Sequence, residues 1–315
     1  MLTVRWGCSH PLYLESAMSR PIRFQPAPWS VFFVTARCIH SRFLLRPSPR
    51  VNSLIIGVLA RAVKRFDVKL FGLCFMSNHY HLLFSSQDAA STSSFMQFIL
   101  SNIAREIGRL RNWREKFWGR RYRASVVLDE AAQIERLKYI LSNSVKEGLV
   151  KHPRYWPGIH CYRHLAEGAR LNGIWIDRTL RYQRPDLDDH DVISHSSLKL
   201  DPLPCLEHLT QHEYRETIKT LTRDILAECD TSQKFMGAKR IMAQNPLAAP
   251  DTINRSPAPL VHCVCPVLKQ EFIKAYRAFV GAYKEAYQRI LKMKLNTEFP
   301  DGSLPPTAWF APLTE

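Results

Sequence analysis

Residues 68–85, VKLFGLCFMSNHYHLLFS, constrain the fold of this chain more than any other stretch. Two apolar runs, 68–76 and 79–85, flank Ser77 and Asn78, a pair suited to a tight hairpin turn. WSVFFVTARC (29–38) is a second β-rich run, and YRASVVL (122–128) is a short strand. Helical patterns separate them. PRVNSLIIGVLARAVKRFD (49–67) sets Leu54, Val58, Leu59 and Val63 at amphipathic spacing. STSSFMQFILSNIAREIGRLRNW (91–113) opens on capping residues and turns Phe95, Phe98, Ile99, Ile103 and Ile107 inward. DEAAQIERLKYILSNSVKEGLV (129–150) starts with Asp129 as N-cap and stops near Gly148. The order β-α-β-β-α-β-α predicts an α+β fold, a ferredoxin-like antiparallel sheet with helices packed on one face.

Beyond about residue 165 the pattern loosens. Segments 183–205 and 243–266 are rich in Pro, Asp, Asn and Ser and read as linkers. Residues 206–242 read as helical, and 266–294 form a second helical run with an aromatic stripe from Phe272 to Tyr287. The expected division is a first domain over 18–168 and a mainly helical extension over 169–315, for which the sequence suggests no role. The tail FPDGSLPPTAWFAP reads as irregular.

Charge narrows the partner. The net is +16, and residues 1–128 supply +14 of it, with 19 Lys or Arg against five acids. A basic half joined to a near-neutral half points to a polyanion, most simply nucleic acid. No apolar run is long enough to cross a membrane, and the N-terminus lacks the apolar core of a secretory signal. The residues after Met18 read more like a domain than those before it. The eight scattered cysteines suit reduced thiols in the cytosol. HCVC (262–265) and HCYRH (160–164) hold zinc-type ligands without a second half at finger spacing.

Two residue clusters carry chemistry. In a strand, residues i and i+2 share a face, so His79 and His81 project side by side and can act as adjacent ligands to one divalent cation. H-x-H alone is a common coincidence in a chain with twelve histidines. In 131–147, Ile134, Leu137, Leu141 and Val145 form a buried stripe, and Tyr139 and Asn143 fall nearly opposite it, one turn apart, with Arg136 on their face. A phenol, an amide oxygen and a guanidinium thus project together; they form either a working face or a solvated one. Arg120, Arg121 and Arg123, interleaved with Phe117, Trp118 and Tyr122, could track a nucleic-acid backbone and stack its bases, or form a solvated turn packed by Trp118.

The motifs MSNHYHLLF, KFWGRRYRASVV and LKYILSNSVKEGLV, in that order, resemble the single-tyrosine transposases of the HUH superfamily, and most closely the REP-associated tyrosine transposases. The resemblance covers about residues 18–168. It implies that His79, His81 and Asn143 hold a divalent metal, Mg²⁺ or Mn²⁺, and that Tyr139 is the nucleophile. It implies cleavage and rejoining of single-stranded or hairpin DNA through a 5′-phosphotyrosine, in DNA transposition. Arg136, Arg120, Arg121, Arg123 and Trp118 are the expected DNA contacts. The expected setting is the bacterial cytoplasm at the nucleoid. A homodimer in which one chain's tyrosine serves its partner's histidines stays open. Two positions depart from the family pattern: Ser77 and Ser144 stand where relatives carry Pro, and Ser144 lets the helix continue past Asn143. The alternative is a domesticated binder of hairpin DNA or RNA that does not cut.

Overall fold

The computed structural model describes residues 24–229, 234–251, 259–292 and 297–303. Met18 and residues 304–315 of the tail lie outside them. The order is β1 (Val31–Arg37), α1 (Pro49–Phe66), β2 (Lys69–Phe75), β3 (His79–Ser85), α2 (Ala89–Arg111), β4 (Arg123–Val127) and α3 (Glu130–Lys146). Then come α4 (Tyr162–Glu167), β5 (Leu171–Ile176), α5 (Arg178–Gln183), α6 (Asp189–Val192), β6 (Ile193–Leu198), α7 (Gln211–Glu228), α8 (Ala238–Ala243), β7 (Val261–His262) and α9 (Pro266–Leu291).

The main sheet runs β2-β3-β1-β4-β7. Its first four strands have the ferredoxin-like order and pair antiparallel, as expected. The amide of Met76 donates to the His79 carbonyl at 2.8 Å and closes the predicted turn at Ser77-Asn78. The fifth strand makes the sheet mixed: β7 pairs parallel with β4, through Val126–Val261 and Val127–His262.

Helices cover both faces rather than the single face expected. Tyr80, Leu82 and Phe84 point to one side and are fully buried; there Phe84 meets Phe95 of α2 with ring centroids 5.0 Å apart. α3 crosses the other side, where Leu137 and Ile140 close over Gly72 of β2. The β-α-β-β-α-β order fixes the first two helices on one face, but α3 follows the last strand of that unit and is free to pack on the opposite one.

Two segments read as linkers contain strands. ISHSSL in 183–205 forms β6, whose polar alternation suits a ribbon with one exposed side. β5 and β6 make a separate antiparallel pair. This ribbon rests on α1 through two glycines: a Cβ on Gly57 would fall 1.8 Å from the Ile174 carbonyl oxygen, and one on Gly173 would fall 2.4 Å from the Gly57 amide nitrogen. Only glycine allows two backbones to approach so closely.

The β2 edge of the main sheet is covered, which blocks strand addition there by another chain. Along β2 the Phe75 amide donates to Ile159, the Cys161 amide to Leu73 and the Asp201 amide to Leu70. β7 covers β4. Among the described residues no helix is long and apolar enough to cross a membrane.

Candidate active site on the histidine face of the sheet

Strand register brings the polar groups together. His79 lies opposite Arg37, and His81 opposite Thr35, which is itself opposite Arg123. Directly paired residues share a face, so Arg37, Arg123 and both histidines line one surface. Phe33, two residues before Thr35, supplies its floor. The His81 ring stacks on Phe33 at 5.3 Å and 11°, and the His79 ring meets His81 at 5.0 Å, edge to face.

α3 delivers the phenol to this surface. Asp129 accepts from the Ala132 amide at 2.7 Å and caps the helix. The Tyr139 ring meets His81 edge-on at 5.1 Å and Phe33 at 5.6 Å. Tyr139 remains 39% exposed. The Arg136 guanidinium sits 5.5 Å from the Tyr139 ring centroid and 5.7 Å from that of Phe33. Cation–π attraction favours that seat. The phenol and the imidazole pair thus come together within this chain.

The helix faces differ from expectation in one respect. Tyr139 and Asn143 are one turn apart, but Asn143 is buried together with Ser142 and Ser144. Helical periodicity placed Asn143 opposite the Ile134–Val145 stripe; that side of α3 is the one turned to the sheet, where Tyr139 meets His81 and Phe33. The helix does continue past Asn143, ending at Lys146.

The electrostatics keep the imidazoles neutral. Burial, reinforced by Arg37, pushes His79 down to about 3. Burial, then His79, Arg37 and Arg136, holds His81 well below the ordinary histidine range. His79 Nδ1 lies 2.7 Å from the Asn78 side-chain oxygen, which orients the ring. Both nitrogens of His81 and the side-chain oxygen of Asn143 are buried without a protein partner. Buried polar atoms left unpaired cost of order 1–3 kcal/mol each. Neutral imidazole nitrogens and an amide oxygen are donors a divalent cation accepts, so the set fits one. Among the described residues no group of three or more His, Cys, Asp or Glu is arranged as a metal site, so the third protein donor here would be the amide.

Tyr139 is not pre-ionised. Burial and the Glu147 carboxylate raise its phenol above the ordinary value, against the opposing pull of Arg136.

The segment 118–123 divides. Trp118 packs edge-on against Tyr80, on the opposite face of the sheet, and donates its indole N–H to the Leu100 carbonyl at 2.9 Å. It takes the packing role rather than joining the histidines. Arg120, Arg121 and Arg123 are exposed, and Arg123 faces the same side as His81. Sequence reading missed Arg37 and His262. Arg37 was legible in principle, since antiparallel register sets it beside His79; His262 was not, because nothing local shows a two-residue strand joining a distant edge.

An α+β domain thus sets a half-exposed tyrosine against paired neutral histidines. Residues 38–143, a segment that contains His79, His81, Tyr139 and Asn143, match the family described as "Transposase IS200 like". Two solved structures are similar. One, titled "Structure of the REP associates tyrosine transposase bound to a REP hairpin", shares 16% identity over 48% of this chain and 86% of that one, with a TM-score of 0.41. The other, a putative transposase from Deinococcus radiodurans R1, shares 14% identity over 38% of this chain and 94% of that one, with a TM-score of 0.28. No curated protein matches the sequence.

Proposed function

We propose that this transposase cleaves and rejoins single-stranded, hairpin-bearing DNA, with Tyr139 as nucleophile. The observation that carries the reading is the edge-on contact of a partly exposed Tyr139 with His81 at 5.1 Å. The Tyr139 oxygen attacks a backbone phosphorus and gives up its proton as the O–P bond forms. The bond to the 3′ oxygen breaks, leaving a 5′-phosphotyrosine and a free 3′-OH. Attack by another 3′-OH restores a phosphodiester and releases the phenol. One phosphodiester replaces another, so no external energy is required.

His79, His81 and Asn143 would hold a divalent cation, Mg²⁺ or Mn²⁺. Bound there, it would polarise the phosphate and offset charge developing on its oxygens. Arg136 places a second positive charge beside the phenol. Arg123 and the exposed Arg120 and Arg121 supply the basic approach for the strand backbone. An extended single strand presents its phosphodiester to a tyrosine recessed between a helix and a sheet more readily than a duplex does. Trp118 contributes by supporting the sheet beneath the site.

The test is incubation of the full chain with end-labelled single-stranded hairpin DNA and Mn²⁺, followed by SDS electrophoresis. A covalent protein–DNA band is expected, lost in Tyr139→Phe while hairpin binding persists. Binding without a covalent band from the unaltered chain, with either metal, would instead favour a non-cutting hairpin-binding protein. A band that survives Tyr139→Phe would remove the tyrosine from the reaction.

A further inference from the structure

The family match ends at residue 143, yet a third imidazole stands on the same face of the sheet, supplied 119 residues later. Parallel pairing of Val127 with His262 sets His262 on the side that carries Phe33 and His81. Its ring meets Phe33 edge-on at 5.5 Å and 87°. Phe33 is therefore ringed by four polar side chains: His81 stacked on it, Tyr139 and His262 against its edge, and the Arg136 guanidinium above it.

The position is built rather than incidental. Asp129, the cap of the tyrosine helix, uses its second carboxylate oxygen to accept from the Val264 amide at 2.7 Å, the Cys265 amide at 2.9 Å and the Cys263 thiol at 2.9 Å. Burial alone would raise this carboxyl; the Cys263 thiol and the Cys265, Ala132 and Val264 amides bring it down to about 2. The His262 carbonyl accepts from the Leu128 amide at 3.0 Å, and Ser125 donates to the Pro259 carbonyl. One carboxylate thus ties the start of α3 to the residues just past His262.

The His262 side chain makes no hydrogen bond to the described residues and is only partly buried. An apolar side chain would pack on Phe33 at lower cost than a half-buried imidazole beside a guanidinium. A donor left open next to Arg136 suits an anionic oxygen.

We propose that His262 is a substrate-contacting residue, donating an N–H to a non-bridging phosphate oxygen of the strand that Tyr139 attacks, together with Arg136. The HCVC motif then acts as a mooring with an imidazole at its head, rather than as half of a zinc site. The inference rests on the strand-cleavage reading above.

Two measurements test it separately from that reading. His262→Ala is expected to slow covalent-adduct formation 10- to 100-fold while the thermal midpoint and the yield of folded protein stay as in the unaltered chain. His262→Gln, which keeps an N–H donor, recovers part of that loss. In Tyr139→Phe, titration with a single-stranded oligonucleotide is expected to shift the His262 imidazole NMR resonances. A rate within twofold of the unaltered chain for His262→Ala, or unmoved His262 resonances at saturating oligonucleotide, overturns the proposal. The resonance experiment decides the contact even if the unaltered chain forms no adduct, an outcome that would fail the cleavage reading alone.

Discussion

Strand β3 presents two chemistries from one run of seven residues. On one side Tyr80, Leu82 and Phe84 are fully buried against α2 and its neighbours; on the other, His79 meets His81, and His81 meets Tyr139, over which Arg136 sits. Strand periodicity alone makes this division, since successive side chains alternate faces. The apolar face supplies rigidity and the polar face carries the cost of unpaired buried nitrogens. Substitutions on the two faces should therefore fail in different ways.

The largest contrast is between neighbours. His81→Ala is expected to lower adduct formation about 10²–10³-fold, the scale of losing a group that stabilises developing charge, with little change in the thermal midpoint. Tyr80→Ala, one residue away, should cost about 3–5 kcal/mol of folding stability, read by urea denaturation, with the adduct rate per folded molecule preserved. If both variants lose the same property, the two faces are not functionally separate.

A second contrast lies in the segment after Phe117. Trp118→Ala should destabilise the fold by about 2–3 kcal/mol, because the indole packs on Tyr80. Its affinity for single-stranded DNA should stay within a factor of two. Arg123→Ala should do the reverse: stability unchanged, affinity severalfold weaker, and the salt dependence of binding reduced by about one phosphate contact. Filter binding over a range of NaCl concentrations checks both.

The last contrast is in pH response, which separates the phenol from the imidazoles. Tyr139 must lose a proton that burial and Glu147 hold more tightly than usual, so the adduct rate should rise tenfold per pH unit from pH 5 to 8. No steepening is expected near pH 6.5, because His79 stays neutral down to about 3 and His81 is also held well below its ordinary value. For metal-free protein the same shifts predict falling stability as pH drops from about 6.5 toward 3. In that window the unfolded chain takes up protons that the folded chain refuses. Thermal denaturation in EDTA across that range measures it.

The sheet and its first three helices were legible because their signals are local. The hairpin 68–85 is an apolar pair around Ser77-Asn78, and the three helices begin close to their caps, Ser48, Asp88 and Asp129. The pairing of His79 with His81 followed from strand periodicity, and the role proposed for Tyr139 came from the motif around it. The burial of Asn143 was not legible, since the helical pattern does not say that the side opposite its apolar stripe turns to the sheet. β6 escaped because ISHSSL is too polar to read as a strand until the ribbon it completes is seen resting on α1. For Trp118 both readings were open, and only the position of Tyr80 distinguished them.

The returning chain also secures the far end of α3. The Met236 and Gly237 amides donate to the Gly148 and Leu149 carbonyls, while Ser77, just before the histidine strand, donates to the Gln244 side chain at 3.2 Å. The reactive helix is thus berthed fore and aft by sequence that the family match does not reach. Trimming the polypeptide to the recognisable motif would cast off both lines at once and strip β4 of its neighbour. The piece of this protein expected to fold by itself is accordingly much longer than the motif by which it is recognised.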